Sequence, residues 1–523
     1  MPKLDSQQLK KRATAAWSRK EQWRQLYDDA YEFGLPQRNL YDGTWDSEAR
    51  GQSKGGRVFD STAVHATQRF SNRMQSGLFP PDKQWMVLQP GTAIPPENAD
   101  PVREALQLYT EKFFAVLNNT NFDLAMGEFL MDLCVGTAAM MVQPGGDRTH
   151  VIFTPVPSFL LALEEGPDGN VQNVFRRIKM PAENVSRTWP DAKLPEALTR
   201  LIEDKPSEHI NLQEATIYDA ADAQWRYYVW WNQDTESSTI VTRDIKRSPW
   251  VCSRFMKIPN EVMGRGPLIT ALPDILTLNK TLELLLKNAS INIAGVFTAV
   301  DDGVLNPQTI RIVPGSVVPV AANGGPRGPS LQPLPRSGDL QLSQVVIQEL
   351  RMNIKQMLLD DSLPPDSASA RSATEIVERM RLLATNLGSA YGRLITETMN
   401  PLCRLVLEIM GDSGLIELPL KVDGMEVKIV PVSPLAQAQN LDEVQSVMQW
   451  LQIASQLGPM GMATAKMDAI SDWVGNKLGV PMSLRTSQEE RQEIEEQAKE
   501  MIAAQAGAAQ SAPPEAPPPE LPA

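Results

Sequence analysis

What this 523-residue chain lacks narrows its chemistry before any motif is considered. Its three cysteines, Cys134, Cys252 and Cys403, are far apart and odd in number. Neither a disulfide framework nor a CxxC metal or redox site is encoded, and a reducing compartment is expected. The three histidines, His65, His150 and His209, form no HExxH pattern and no Cys/His cluster, so no metal is assigned. There is no GxxxxGK(S/T) loop to cradle a nucleotide, and no cofactor or ATP hydrolysis is expected. No apolar run reaches the roughly 20 residues that span a bilayer. The best candidate, 129–142, is 14 residues long, carries Asp132, and reads as buried core. The opening MPKLDSQQLKKR has no apolar stretch behind its basic residues, so no secretory signal is expected. Basic charge is also short: 50 Lys and Arg against 63 Asp and Glu give a net −13. Tight binding to nucleic acid rests on surplus cations, so any contact with DNA has to be local and weak.

What is present is a mostly folded chain, with 42% hydrophobic and 22% charged residues and room for about three structural regions. Trp17, Trp23, Leu26, Tyr27, Ala30 and Tyr31 approximate one amphipathic helix that stops at Gly34 and Pro36. A glycine-rich loop, 39–57, leads to a second helix over 61–78. Residues 106–117 and 122–142 read as further helices, whereas 151–156, 171–178, 225–231, 238–241 and 250–255 have strand composition. The first half is therefore α+β.

The second half has longer periods. After Gly264, Arg265, Gly266, Pro267 and Pro273, the residues Ile275, Leu278, Leu282, Leu285, Ala289 and Ile293 recur at the helix spacing. Gly- and Pro-rich residues 295–338 carry short β-like runs at 311–313 and 317–320. A second amphipathic helix over 339–359 follows, with Leu342, Val346, Leu350, Ile354 and Met357 as its stripe. Paired prolines bar a helix through 361–371. Ser372 and Glu375 form a capping box for the longest periodic segment, with a kink expected at Pro401 and a stop at Gly411. Beyond strand-like 427–432, helices are expected over 435–457, 463–478 and 486–506, and the proline-rich end is extended or disordered.

Few residues offer chemistry. Gly411, Asp412, Ser413 and Gly414 match the active-serine segment of trypsin-like proteases, but the serine follows a helix, and turn chemistry is the preferred reading. The acid pairs Asp28 with Asp29, Glu164 with Glu165, Asp301 with Asp302 and Asp360 with Asp361 read as solvated turns, not magnesium ligands. Lys280 and Lys287 lie seven apart on one face of the first long helix, and Arg351 and Lys355 form an i,i+4 pair on the second. In isolation such pairs are solvated faces. They matter only if the fold turns them toward a polyanion.

Four stretches, WRQLYDDAYEFGLP (23–36), DSTAVHATQRFSNRMQSGLFPPDKQW (60–85), GRGPLITALPDILTLN (264–279) and SATEIVERMRLLATNLGSAYGRLITETMNPL (372–402), in this order and spacing, resemble the portal or head-to-tail connector proteins of short-tailed bacteriophages. The resemblance covers roughly residues 15–435. It implies a mixed α+β, helix-rich portal fold, assembled as a ring of about twelve subunits at one capsid vertex. A separate terminase motor would package double-stranded DNA through the ring, and the DNA would later leave through it. On this likeness 1–266 is the N-terminal wing, 267–294 the first stem helix, 295–338 the clip, and 339–360 the second stem helix. The tunnel loop is 361–371, including Pro364, Pro365, Asp366 and Arg371. Residues 372–434 complete the wing, 435–506 are a helical crown, and 507–523 a proline-rich tail. The implied partners are the terminase large subunit, major capsid protein, scaffold and internal core proteins, and tail adaptors. No membrane is implied, and the site is the virion after assembly in the host cytoplasm. The likeness makes the protein structural and not an enzyme. Another ring-forming virion adaptor is an alternative, as is, remotely, a serine hydrolase using Ser413.

Lys280, Lys287, Arg351 and Lys355 are then the expected non-specific channel contacts. DNA carries a charge per about 1.7 Å, so a stem of about 30 Å faces some 18 phosphates. Twelve copies of Lys280 and Lys287 would set about 24 positive charges against them, partly offset by Glu283. Such rings guide a duplex loosely and read no bases.

Overall fold

A computed structural model describes residues 6–38, 56–81, 83–95, 99–146, 149–220, 222–232, 237–294, 297–300, 317–320, 331–333, 340–360, 385–417, 422–458, 464–478 and 480. Pro364, Pro365, Asp366 and Arg371, the capping box at Ser372, the 486–506 helix, the β-like run at 311–313 and the proline-rich end lie outside the described residues.

The chain opens with α1 (Ser6–Glu21), α2 (Arg24–Gly34) and α3 (Thr62–Leu78), followed by β1 (Met86–Pro90), α4 (Ala99–Asn118) and α5 (Phe122–Val135). Next come β2 (Thr137–Pro144), β3 (Val151–Val156), β4 (Leu161–Glu165) and β5 (Val171–Pro181). Two short helices, α6 (Asn184–Thr188) and α7 (Glu196–Asp204), precede β6 (His209–Asp219), β7 (Gln224–Asn232), β8 (Ser237–Ile245) and β9 (Trp250–Arg254). The long helices α8 (Pro267–Ala294) and α9 (Leu340–Met357) flank β10 (Phe297–Val300), β11 (Val317–Val320) and β12 (Leu331–Pro333). After α10 (Ser389–Leu394), a π turn (Ile395–Met399) leads directly into α11 (Asn400–Asp412). β13 (Val427–Pro431), α12 (Pro434–Gln456) and α13 (Met467–Leu478) complete the described order. Among the described residues no helix is long and apolar enough to cross a membrane.

The contacts divide the chain into one unit drawn from 1–83 and 115–417 and another drawn from 84–114 and 418–523. In the first, β4 to β8 form an antiparallel meander buried on both faces. Alternation along β6 and β7 sorts the side chains. Ala215, Ile217, Tyr228 and Trp230 pack with Leu9, Ala13 and Ala16 of α1, whereas Ile210, Leu212, Val229 and Trp231 pack with Val185, Trp189 and Leu198 beside α6 and α7. A second sheet, β3-β2-β9, carries a fully apolar centre at Ala138 to Val142.

Several elements depart from expectation for physical reasons. The opening segment is two helices, because α1 packs on the meander while α2 seats Tyr27 and Tyr31 elsewhere, and two docking surfaces require two axes. The run 122–142 is not one helix: α5 ends at Val135 and β2 continues it as a doubly buried strand. Short apolar runs of that kind look alike in either state. Among the described residues of α9 and its end, Ile354 is buried as the stripe predicts, but Ile347 and Leu358 are buried beside it while Val346 and Met357 are exposed, so the buried face is shifted from the expected one. Pro401 is preceded by a π turn. A proline ring clashes with the carbonyl four residues earlier, and the wider turn relieves this. The helix stop is not Gly411 but Gly414, at φ 71, following the Ser413 cap.

In the second unit β1 pairs antiparallel with β13, Leu88 opposite Ile429. Trp85 is buried edge-on against Phe113 and Phe114, with ring centroids 6.0 and 5.4 Å away. The Leu88 amide donates to Thr110 Oγ1 at 3.2 Å. Ser433 caps α12, its Oγ accepting from the Ala436 amide at 3.4 Å, and Pro434 occupies the first turn.

Candidate functional site

The paired helices α8 and α9 rise from a closely fitted seat. Gly264 to Pro267 lies against the end of α5, where a Cβ on Gly266 would sit 2.1 Å from the Cys134 carbonyl oxygen and one on Gly264 would sit 2.4 Å from that of Gly136. Only glycine permits such an approach. Tyr27 donates to the Gly264 carbonyl at 2.7 Å, and the Gly264 amide donates to Thr137 Oγ1 at 2.8 Å. Tyr31 donates to Asp132 Oδ1 at 2.8 Å, and Arg38 pairs with the same carboxyl at 3.3 Å.

About three turns into α8, Asn279 holds the extended segment before α3. It donates to the Arg57 carbonyl at 2.8 Å and accepts from the Phe59 amide at 2.7 Å. Asp60, next in sequence, receives Arg351 of α9 at 2.7 and 2.9 Å. Burial pushes the Asp60 carboxyl up, but the Thr62 and Arg351 hydrogen bonds outweigh it, and the net shift is downward. The segment 57–60 thus ties α8 to α9.

Of the expected channel residues, Lys280 and Lys287 are exposed on α8 and clamp one carboxylate, Glu283, at 2.9 and 2.6 Å. Hydrogen bonds from Lys287 and then Lys280 hold that carboxyl at about 2. Two lysines less one glutamate leave a local charge of +1. Arg351 is committed to Asp60, whereas Lys355 is exposed in the last turn of α9, where its charge suits the helix dipole. The structure therefore joins Lys280 with Lys287 on one carboxylate and pairs Arg351 with another.

Sequence reasoning missed Arg69 and Arg73 of α3. Both pair with buried Asp360 at 3.3 Å, and Arg73 also donates to the Leu359 carbonyl. Leu359 itself takes φ 55, a left-handed conformation uncommon outside glycine, at the end of α9. The i,i+4 spacing of the two arginines was a signal, but their acidic target lies about 290 positions away.

Glu164 and Glu165 are not a solvated turn, whereas Asp301, Asp302 and Asp361 lie outside the described residues. Glu164 is buried and accepts from Arg12 at 2.9 Å and Asn173 at 3.2 Å. Glu165 pairs with Lys257 at 2.7 Å and with Arg254. Arg254 has no exposed side-chain surface and also reaches Glu397 of the π turn at 2.8 Å, while the Arg254 amide donates to the same carboxylate at 2.9 Å. Ser413 donates its hydroxyl to the Ile409 carbonyl at 2.8 Å, so it acts as a helix cap. A cavity of about 510 Å³ lies near it, but its charged walls are already paired: Arg176 with Glu214, and Arg247 with Asp412. Burial raises the Cys134 and Cys252 thiols to about 12, which suits inert packing and not nucleophilic chemistry.

With this geometry in view, comparisons with known proteins are informative. The profile of a family described as bacteriophage head to tail connecting protein matches residues 6–485. A probable portal protein of Bordetella phage BPP-1 is 23% identical over 449 residues, which cover 82% of this chain and 79% of that one. Among solved structures, a chain from the virion of a native gene transfer agent particle aligns with TM-score 0.33 and 10% identity, over 82% of this chain and 92% of that one. A chain from the neck of the native particle computed with C12 symmetry aligns with TM-score 0.31 and 11% identity, over 81% and 94%. Structural likenesses this loose carry no argument.

Proposed function

The chain belongs to the bacteriophage head-to-tail connecting proteins, and we propose from this that about twelve copies form the portal ring of a short-tailed phage capsid. In this reading double-stranded DNA is driven inward through the ring by a separate terminase and later leaves by the same path. The chain itself carries no active site and serves as conduit and platform. The family match over residues 6–485 is the observation that carries the proposal. The α8 and α9 pair supplies the stem, 295–338 the clip that meets terminase and then tail adaptors, 361–371 the tunnel loop, and 435–506 the crown. The wing is drawn from 1–266 and 372–434, and meets the capsid, scaffold and internal core proteins.

Lys280 and Lys287, and Lys355 on the second helix, line the channel side of the stem. Each Lys–Glu–Lys clamp offers the duplex one net charge instead of two. Loose phosphate contacts of this kind let DNA slide, whereas full neutralisation would hold it. Arg351 braces the stem through Asp60, which offsets the charge it could offer the duplex.

Electron microscopy and solution mass of the purified full chain test the proposal. A ring of about twelve chains with a central hole is expected, and a single compact particle under assembly-promoting conditions would refute it. Lys287→Glu should leave that ring intact and change DNA packaging or retention. Unchanged packaging and retention would remove Lys287 from the channel.

A further inference from the structure

Helix α12 stands out for what its surface lacks. Residues 444–457 contain no Asp, Glu, Lys or Arg in a chain that is 22% charged, where a window of that length holds about three. Yet this stretch is largely exposed: Met448 is 55% accessible, Trp450 43%, Ile453 58% and Leu457 72%. Only Val444 and Ala454 of the fourteen are buried. Exposed surface without charge, carrying Trp and Met, has the composition of an interface centre and not of a solvated helix.

The apolar residues are not one stripe. At roughly 100° per residue, Trp450, Ile453 and Leu457 form a ridge on one side of the helix. Val444, Met448, Leu451 and Ser455 lie roughly 160° away and, with Gln445, Gln449, Gln452 and, from α13, Met467, line an open, uncharged groove of about 600 Å³. One helix therefore presents a ridge and a groove back to back. A two-fold contact uses the same patch on both partners, whereas a closed ring of like subunits needs two different patches that fit one another.

We propose that the Trp450–Ile453–Leu457 ridge of one copy seats in the Met448–Met467 groove of the next. This rests on the ring reading given above and specifies one of its contacts. Charge argues for a second copy as the occupant. Two copies of a chain with net charge −13 repel each other, and an uncharged face is where they can meet with least opposition. A partner held by opposite charge would require a charged complement on α12, and 444–457 provides none.

The test uses the full chain with Met448→Cys and Ile453→Cys, singly and together, under mild oxidation. The native thiols provide little background, since Cys134 and Cys403 are buried and Cys252 half-buried. The double variant should give a ladder of covalent multimers, and each single variant should give none. Dimers from Ile453→Cys alone would show ridge meeting ridge and overturn the proposal, as would a double variant that forms no multimers. In parallel, Trp450→Glu with Ile453→Glu should lower the assembled fraction by about ten-fold or more while circular dichroism stays unchanged. Rings that survive both substitutions in full would overturn this contact and leave the ring reading standing. A parent chain that forms no ring at all would sink both.

Discussion

Asp132 is a carboxyl group sealed between α2 and α5, and burial raises it to about 6 despite the Arg38 charge and the Tyr31 hydrogen bond. The sign follows from linkage. In the unfolded chain the group titrates near 4. The folded state favours the neutral form, so its contribution to stability is full below about pH 4 and is lost as pH rises through about 6. Asp132→Asn keeps an acceptor for Tyr31 and removes the proton. The prediction is that the variant loses this slope, with stability between about pH 4 and 6 flatter by one proton's worth in denaturant unfolding. An unchanged slope would place the titration elsewhere. The sequence gives no hint of this. Asp132 looked like a stray charge in an apolar run, and the partners that define it, Tyr31 and Arg38, are about 100 positions away.

Elements were more legible than their partners. The spacing of Ile275, Leu278 and Leu282 gave α8, and glycine and proline punctuation separated it from α9, because helix period and helix breaking are local properties. The stripe of α9 was right at Ile354, but the burial of Ile347 and Leu358 and the meeting of Arg351 with distant Asp60 are recorded by no local spacing. The π turn shows the same division. Pro401 announced a disturbance in the helix, but not that the disturbance places Glu397 against fully buried Arg254. Removing one member of a buried pair leaves the other charge uncompensated, at a cost of about 3–5 kcal/mol. Glu397→Ala should therefore destabilise the full chain by that amount in thermal or denaturant unfolding. A loss below about 1 kcal/mol would mean that Glu165 alone satisfies the arginine.

For the whole molecule, the proposed passage of DNA through a ring of net-acidic chains depends on how their few cations are deployed. Glu283→Gln releases Lys280 and Lys287 and raises their local charge from +1 to +2 per chain. Retention of duplex DNA by the assembled protein should then become stronger at low salt and fall more steeply as salt rises. An identical salt profile would show that these lysines do not meet phosphate. The amino-acid sequence alone pointed to the class of molecule: four spaced stretches resemble the connector family that the profile match over 6–485 establishes. It also set the helical periods, since these depend on neighbours within a turn or two. Only tertiary structure decided which distant segments meet. Tyr27 meets Gly264, Asn279 holds 57–59 and Asp60 holds Arg351, so widely separated segments form the seat of one helix pair. Which side chains meet across such distances is settled by packing and desolvation in the folded chain, and no local pattern records it.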